Sequence, residues 1–102
     1  MKIPKPLDNR ITIYSKSGCT YCDSVKKLLI EQKVLFTIIN CDEYLVKDKP
    51  KFLQCIYLLV GKEYNTFPMV FSNGTFIGGF TDTEKYFQKI AEKQLNFNDS
   101  NF

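Results

Sequence analysis

Two cysteines, Cys19 and Cys22, are separated by two residues in the sequence Cys19-Thr20-Tyr21-Cys22. They follow a run of alternating apolar residues and precede a stretch with helical periodicity, so Cys19 lies at the predicted start of a helix. Free backbone N–H groups and the positive end of the helix dipole stabilise a thiolate there, so Cys19 can be ionised near neutral pH. Cys22, one turn further on, can then attack the Cys19 sulfur of a mixed disulfide and release the bound thiol. The spacing predicts disulfide chemistry.

The histidine and cysteine content excludes several other kinds of catalytic and metal site. The chain has no histidine, which excludes Cys-His nucleophilic catalysis and zinc sites that need an imidazole. An all-cysteine metal site is still arithmetically open, but Cys41 and Cys55 are too far apart to form the usual second pair. Four cysteines in 102 residues are also too few for a disulfide scaffold. We therefore predict no resident metal. We also expect the thiols to act in a reducing compartment, the cytoplasm.

The length and charge predict one small globular unit. A chain of 102 residues forms a single domain over residues 1–102, with an ordered core of about residues 8–95. The polar tail, residues 96–102, is expected to fray. The net charge of +3 is spread along the chain, so no nucleic-acid partner is indicated. No window is apolar enough to span a bilayer, and we expect a soluble monomer with no membrane partner.

Periodicity and turn signals predict seven elements around the two cysteines. Alternating β-branched and aromatic residues indicate a strand up to Ser15, and a short apolar run indicates a buried parallel strand. Asn73-Gly74 is a strong signal for a two-residue hairpin. The first five elements are a strand at 10–15, a helix at 20–32, a strand at 36–40, a helix at 48–60 and a strand at 69–72. A strand at 75–78 and a helix from 81 onward complete the order β-α-β-α-β-β-α.

Capping residues set the expected helix boundaries. Asp48 is the predicted N-cap of the second helix, with Pro50 in its first turn and Gly61 at its end. The last helix is predicted to open with a capping box formed by Thr81 and Glu84. We therefore expect an α/β domain in which a mixed four-stranded sheet is flanked by about three helices.

Three separated motifs together resemble the glutaredoxin family. The segments are Lys16-Ser17-Gly18-Cys19-Thr20-Tyr21-Cys22, Thr66-Phe67-Pro68 and Gly78-Gly79-Phe80-Thr81-Asp82. The resemblance extends over about residues 10–93 and implies a thioredoxin-like fold. A Cys-x-x-Cys pair alone is a weak signal, but the three motifs at these separations are specific.

The resemblance also implies a reaction and its partners. Cys19 is then the nucleophile that attacks a disulfide sulfur, and Cys22 is the thiol that resolves a mixed disulfide with a protein. Glutathione is the implied reductant and co-substrate, and the partners are disulfide-containing or glutathionylated proteins. With glutathionylated substrates, Cys19 alone can suffice. We predict a glutathione-disulfide oxidoreductase.

By the same resemblance, nine residues are candidates for glutathione binding. Lys16 is expected to meet the glycine carboxylate, and Tyr21 to lie beside the bound peptide. A cis peptide bond before Pro68 would turn the backbone of Phe67 toward the cysteine portion of glutathione. At the γ-glutamyl end, the Thr81 amide would hold the carboxylate and the Asp82 side chain the ammonium group. The complete set is Lys16, Tyr21, Thr66, Phe67, Pro68, Gly79, Phe80, Thr81 and Asp82.

Simpler roles remain open for several of these side chains. Lys16 is otherwise a solvated charge at a strand end, and Tyr21 a packing residue. Pro68 commonly marks a strand edge. Asp82 can also serve only to complement the helix dipole. Cys41 and Cys55, which lack electropositive surroundings in the sequence, are expected to be structural or incidental.

Three positions depart from the common family pattern. Thr20 replaces a proline, adding an N–H and a hydroxyl that we expect to lie near the Cys19 sulfur. Phe67 replaces a smaller aliphatic residue, which suggests a narrower or more apolar groove. Asn65 replaces an arginine, so we expect weaker binding of the glycine carboxylate of glutathione unless Lys62 takes the place of the missing arginine.

The missing proline also keeps a second function open. Some glutaredoxins without it bind a [2Fe–2S] cluster between two subunits, using the nucleophilic cysteine and glutathione. A thioredoxin is disfavoured, because its usual tryptophan-containing motif is absent and the chain has no tryptophan.

Overall fold

The fold consists of a four-stranded sheet with helices on both faces. The computed structural model describes the backbone of residues 1–100 and the side chains of residues 1–93. The tail predicted to fray, residues 96–102, lies outside the residues described in full. The elements are β1 (Ile11–Ser15), α1 (Thr20–Glu31), β2 (Phe36–Asn40), α2 (Asp42–Val60), β3 (Met69–Ser72), β4 (Thr75–Gly78) and α3 (Phe80–Ser100).

The strand order in the sheet is β2-β1-β3-β4. β1 pairs in parallel with β2 and antiparallel with β3, and β3 pairs antiparallel with β4. Asn73 and Gly74 both have positive φ, 49° and 80°, as a tight primed hairpin turn requires. The predicted α/β class, with a mixed four-stranded sheet, three helices and a thioredoxin-like topology, is confirmed.

The two faces of the sheet carry separate apolar clusters. Side chains alternate along β1, so Ile11 and Ile13 face one side while Tyr14 faces the other. On the first side, Val25 and Leu29 of α1 pack against the sheet. On the other side, the cluster contains Tyr14, Cys41, Phe52, Ile56, Met69 and Phe71. The helices α1 and α2 therefore lie on opposite faces of the sheet.

α2 begins earlier than the sequence suggested. It starts at Asp42, six residues before the predicted N-cap, and is interrupted at Asp48, whose φ and ψ are −164° and 86°. Asp48 is nevertheless a cap, because its Oδ1 accepts the backbone N–H of Lys51 at 3.1 Å. Pro50 cannot continue the preceding backbone hydrogen bonds, which explains the interruption. The predicted boundary is thus a kink, and an additional helical segment precedes it.

The predicted capping box of the last helix is wrong. α3 begins at Phe80, so Thr81 lies inside the first turn rather than at the cap. The buried Thr83 instead folds back, and its Oγ1 and backbone N–H both donate to the Gly79 carbonyl at 2.7 and 3.0 Å. Gly78, with φ of 134°, allows the chain to turn early.

Candidate functional site

Cys19 and Cys22 form a disulfide at the start of α1, with their Cα atoms 5.2 Å apart. Cys19 is the N-cap of the helix, and its Sγ accepts the backbone N–H of Cys22 at 3.1 Å. Cys22 is fully buried, whereas Cys19 is only half-buried. The structure therefore makes Cys19 the sulfur that an incoming molecule can reach.

The polar group at the Cys19 sulfur differs from the one expected. The donor is the N–H of Cys22, one turn into the helix, and not the N–H or hydroxyl of Thr20. Thr20 is exposed, and its carbonyl accepts the Ser24 hydroxyl at 3.1 Å. Thr20 thus begins the helix without contributing a hydrogen bond to the sulfur.

The loop before Cys19 is tied to the start of α2. The Asp42 carboxylate accepts the Ser17 backbone N–H at 2.9 Å and also accepts the Ser17 hydroxyl. These bonds, aided by the nearby Lys16, hold the pKa of the Asp42 carboxyl below its usual range. Asp42 thereby anchors the segment that leads into the reactive cysteine.

Sequence reasoning missed Asp42, although a signal was present. β1 and β2 are parallel, with Ser15 paired to Asn40. The carboxyl ends of parallel strands lie at the same sheet edge, which is where ligand sites of α/β folds form. The residue that follows β2 by two positions must therefore lie near the residues that follow β1.

A groove of about 520 Å³ lies at this edge of the sheet. Its volume falls within the range of small-molecule sites. All nine candidate glutathione-binding residues line it, together with Tyr64 and Asn65. They come from three segments, which follow β1, precede β3 and follow β4. The exposed Lys62 is not among the lining residues, so the structure gives no support to its substituting at Asn65.

One wall of the groove is the turn before β3. The Phe67–Pro68 peptide bond is cis, as the resemblance implied, and Pro68 is fully buried. The Phe67 ring stacks on the ring of Phe52 with centroids 6.1 Å apart. Lys16 places its ammonium 5.4 Å from the centroid of the Phe67 ring. The aromatic side chain at this position therefore contacts both the core and a cation of the groove.

A second wall is the start of α3. The Asp82 side chain folds back over Gly78, where any Cβ would collide with its carboxylate. A Cβ on Gly79 would approach the Tyr64 hydroxyl to 3.1 Å. Gly78 thus leaves room for the Asp82 carboxylate to fold back, and Gly79 lets the start of α3 approach Tyr64 on the opposite wall.

An exposed aromatic pair borders the groove beside the disulfide. Tyr21 is 62% exposed, and its ring stacks on Phe80 with centroids 6.1 Å apart. Tyr21 is therefore a surface residue and not part of the core. The pair joins the first turn of α1 to the first turn of α3.

The other two cysteines lie away from the groove. Cys41 is fully buried in the cluster under α2, and burial raises the pKa of its thiol to about 12. Cys55 is half-buried, and its thiol faces the Met1 carbonyl at 3.6 Å. Neither cysteine lines the groove.

Neither a metal cluster nor a membrane-spanning helix is found in the part of the chain that the structure describes. Within it, no three side chains of the metal-ligating types come together. No helix there is both long and apolar enough to cross a bilayer.

A mixed sheet of this order, with a dithiol at the start of α1 and a cis-proline before β3, defines a thioredoxin-like dithiol protein. A comparison with known families matches the glutaredoxin family over residues 11–77. The match includes Cys19, Cys22 and the cis-proline turn. The chain belongs to the glutaredoxin family.

Individual glutaredoxins are similar over most of this chain. The mitochondrial glutaredoxin-2 of Homo sapiens is 38% identical over 78 residues, which are 76% of this chain and 45% of that protein. Glutaredoxin 1 of Francisella tularensis, crystallised with cacodylate, has a TM-score of 0.69 at 28% identity, over 80% of this chain and 95% of that one. A buckwheat glutaredoxin–glutathione complex has a TM-score of 0.64 at 26% identity, over 78% and 69%.

The curated relatives differ from this chain in length and carry a location in their names. The chain spans about half the length of the curated relatives it matches first. Those proteins are named as mitochondrial, so they lend no support to the cytoplasmic location expected from the sequence.

Proposed function

We propose that the protein is a glutathione-dependent thiol-disulfide oxidoreductase that reduces protein disulfides and glutathione mixed disulfides. The observation that carries the proposal is the position of the reachable Cys19. It caps α1 between Lys16 and Tyr21, two residues of the groove wall, and its disulfide partner Cys22 is buried behind it.

Reduction of a protein disulfide proceeds in two exchanges on this pair. The Cys19 thiolate bonds to one substrate sulfur, and the other substrate sulfur leaves as a thiolate that takes up a proton. The Cys22 thiolate then attacks the Cys19 sulfur, which releases the second substrate thiol and leaves the Cys19–Cys22 disulfide. Two electrons pass to the substrate. The 5.2 Å separation of the two Cα atoms is compatible with this internal disulfide.

Two glutathione molecules regenerate the dithiol. The first glutathione thiolate attacks Cys19, which frees Cys22 and forms a mixed disulfide. The second attacks the glutathione sulfur of that mixed disulfide, so that glutathione disulfide leaves and Cys19 is again a thiolate. A glutathionylated substrate needs only Cys19. The Cys19 thiolate attacks the glutathione sulfur, the substrate leaves as a thiol, and one further glutathione then releases glutathione disulfide in the same way.

The groove offers groups that suit the parts of a tripeptide with two carboxylates and one ammonium. Lys16 suits the glycine carboxylate, and the backbone of Phe67 suits the cysteine portion as an added strand would. The N–H groups at the start of α3, including that of Thr81, suit the γ-glutamyl carboxylate. The Asp82 carboxylate suits the ammonium group. The similar buckwheat protein, which was crystallised with glutathione, supports this assignment.

The proposed function also implies the protein partners, the compartment and the oligomeric state. The implied protein partners carry disulfides or glutathionylated cysteines, and a reducing compartment such as the cytosol would keep Cys19 available. We predict that the protein is a monomer in solution. A glutathione-ligated, coloured homodimer after anaerobic purification would instead favour the [2Fe–2S] alternative.

Turnover of a glutathione mixed disulfide by wild type and two cysteine variants tests the proposal. Cys19→Ser should reduce the rate to background, because no other reachable thiol caps α1. Cys22→Ser should keep most of the activity on the mixed disulfide and lose activity on a protein disulfide, which needs the resolving thiol. Cys55→Ser, outside the groove, is the matched control. An inactive wild type, or an active Cys19→Ser variant, would overturn the proposal.

A further inference from the structure

The Phe67 side chain joins the buried core to a charge at the groove. Its ring and the ring of Phe52 are nearly parallel, at 13°, and Phe52 is fully buried. Phe52 in turn stacks on Tyr44 with an angle of 9° between the rings. The three rings form a row that runs from Tyr44 and Phe52 of α2 to Phe67, which holds the Phe67 ring against the core.

Phe67, the last ring of this row, contacts the Lys16 side chain. The Lys16 ammonium lies over the Phe67 ring, 5.4 Å from its centroid, within the distance at which a cation is attracted to an aromatic face. Lys16 itself is exposed and has a long flexible stem. Without the ring, the ammonium would sample many positions, including positions nearer the Asp42 carboxylate, whose charge it already senses.

We propose that Phe67 is a positioning residue that holds the Lys16 ammonium at the groove, so that the row Tyr44–Phe52–Phe67 sets the site's preference for a ligand carboxylate. The inference rests on the proposed function for the identity of that ligand. The contact between the Phe67 ring and the Lys16 ammonium is independent of that function. An aliphatic side chain at position 67 would pack against Phe52 but would offer no electron-rich face to the cation.

Glutathione and its glycine ethyl ester form a matched pair of probes. With glutathione, Phe67→Leu should raise KM about two- to fivefold, the range of an exposed cation–π contact. With the ester, which has no glycine carboxylate, the same substitution should leave KM unchanged. Phe67→Tyr keeps an aromatic face and should restore the wild-type KM for glutathione.

A double-mutant cycle separates this role from simple packing. Once Lys16→Gln has removed the cation, a further Phe67→Leu substitution should cost nothing in KM for glutathione. Phe87→Leu removes a half-buried ring on the other face of the sheet and is the control. Its effect should be the same with and without Lys16→Gln. Additive effects of Phe67→Leu and Lys16→Gln would overturn the proposal.

Proton NMR gives a test that does not depend on turnover. A ring face shields protons above it, so the Lys16 side-chain methylene signals nearest the ammonium should lie upfield of those of the exposed Lys27. Phe67→Leu should abolish the difference, and Phe67→Tyr should keep it. Unshifted Lys16 signals in the wild type would overturn the contact itself. If the shift is present but wild type does not turn over glutathione mixed disulfides, the proposed function fails while the Phe67–Lys16 contact stands.

Discussion

Asp42 influences the reactive loop through two hydrogen bonds from Ser17. The bonded residue lies two positions before Cys19, and Gly18 between them has φ of 69°. Glycine adopts this conformation readily but many others as well, so the hydrogen bonds to Asp42 help to hold the loop in one conformation. Asp42 is therefore a positioning residue for Cys19, although it does not touch the sulfur.

Substituting Asp42 should loosen the reactive loop. Asp42→Ala removes the acceptor of the Ser17 N–H, so we expect that amide to exchange with deuterium about tenfold faster, the effect of losing one charge-assisted hydrogen bond. Mixed-disulfide turnover should fall as well. Glu43→Gln changes an exposed carboxylate in the same helical turn and is the control. Unchanged exchange at Ser17 in Asp42→Ala would contradict this role.

The pH dependence of the same contact has a defined sign. Because the folded-state pKa of Asp42 is lowered, its stabilising contribution is present above the ordinary aspartate pKa of about 4 and is lost as the pH falls below it. The stability difference between wild type and Asp42→Asn should therefore shrink below about pH 4 in urea titrations. A difference that persists there would show that the charge is not responsible.

α2 illustrates which parts of an element a sequence can reveal. Asp48 and Pro50 are strong local signals, so the cap was predictable and is present. The same two residues are the reason why the helical segment from Asp42 to Lys47 was not predicted. A proline is typical of the first turn of a helix and not of a helix interior. The capping box at Thr81 failed for a related reason. The turn at Gly78 and the hydrogen bonds of Thr83 to Gly79 place the start of α3 earlier than any local pattern indicates.

The cap at Asp48 has a measurable effect on stability. Asp48→Ala leaves the Lys51 N–H without its acceptor and should cost about 1 kcal/mol, which lowers Tm by roughly 4–8 °C in a domain of this size. Asp48→Asn retains a capping oxygen and should stay within a few tenths of a kcal/mol of wild type. The exposed ion pair between Asp48 and Lys51, at 3.9 Å, contributes little. If Asn is as harmful as Ala in thermal unfolding, the ion pair and not the cap is responsible.

The groove depends on the topology of the sheet as a whole. β1 and β4 end, and β3 begins, at one edge, because β3 runs antiparallel to both. The three motifs of the sequence therefore had to meet once the strand order was known. The side-chain contacts across the groove, such as those between Tyr21 and Phe80 or between Lys16 and Phe67, depend on rotamers and packing. Residue patterns do not contain that information.

We expect the core under α2 to make the fold sensitive to alkali. Tyr14 and Cys41 are both fully buried there, and burial raises the pKa of each above its ordinary value. Both are acids held in their neutral forms. Their contribution to stability is therefore complete below the unfolded-state pKa values, about 8.5 for cysteine and 10 for tyrosine, and is lost as the pH rises above them.

Urea unfolding at increasing pH measures this loss. We expect the free energy of unfolding to fall by up to about 1.4 kcal/mol per pH unit for each group above its unfolded-state pKa. Cys41→Ala should remove the part of the decline that begins near pH 8.5, and Tyr14→Phe the part that begins near pH 10. A decline of the same steepness in both variants would assign the effect to other groups.

The aromatic lining of the groove has a spectroscopic consequence. The chain contains six tyrosines and no tryptophan, so tyrosine dominates its ultraviolet emission. Two of the six, Tyr21 and Tyr64, line the groove, and Tyr21 lies between the two redox cysteines in the sequence. Part of the emission of the unlabelled protein therefore comes from rings that line the groove. We therefore expect the tyrosine emission to change when a ligand enters the groove, which would report occupancy without a dye or an engineered side chain.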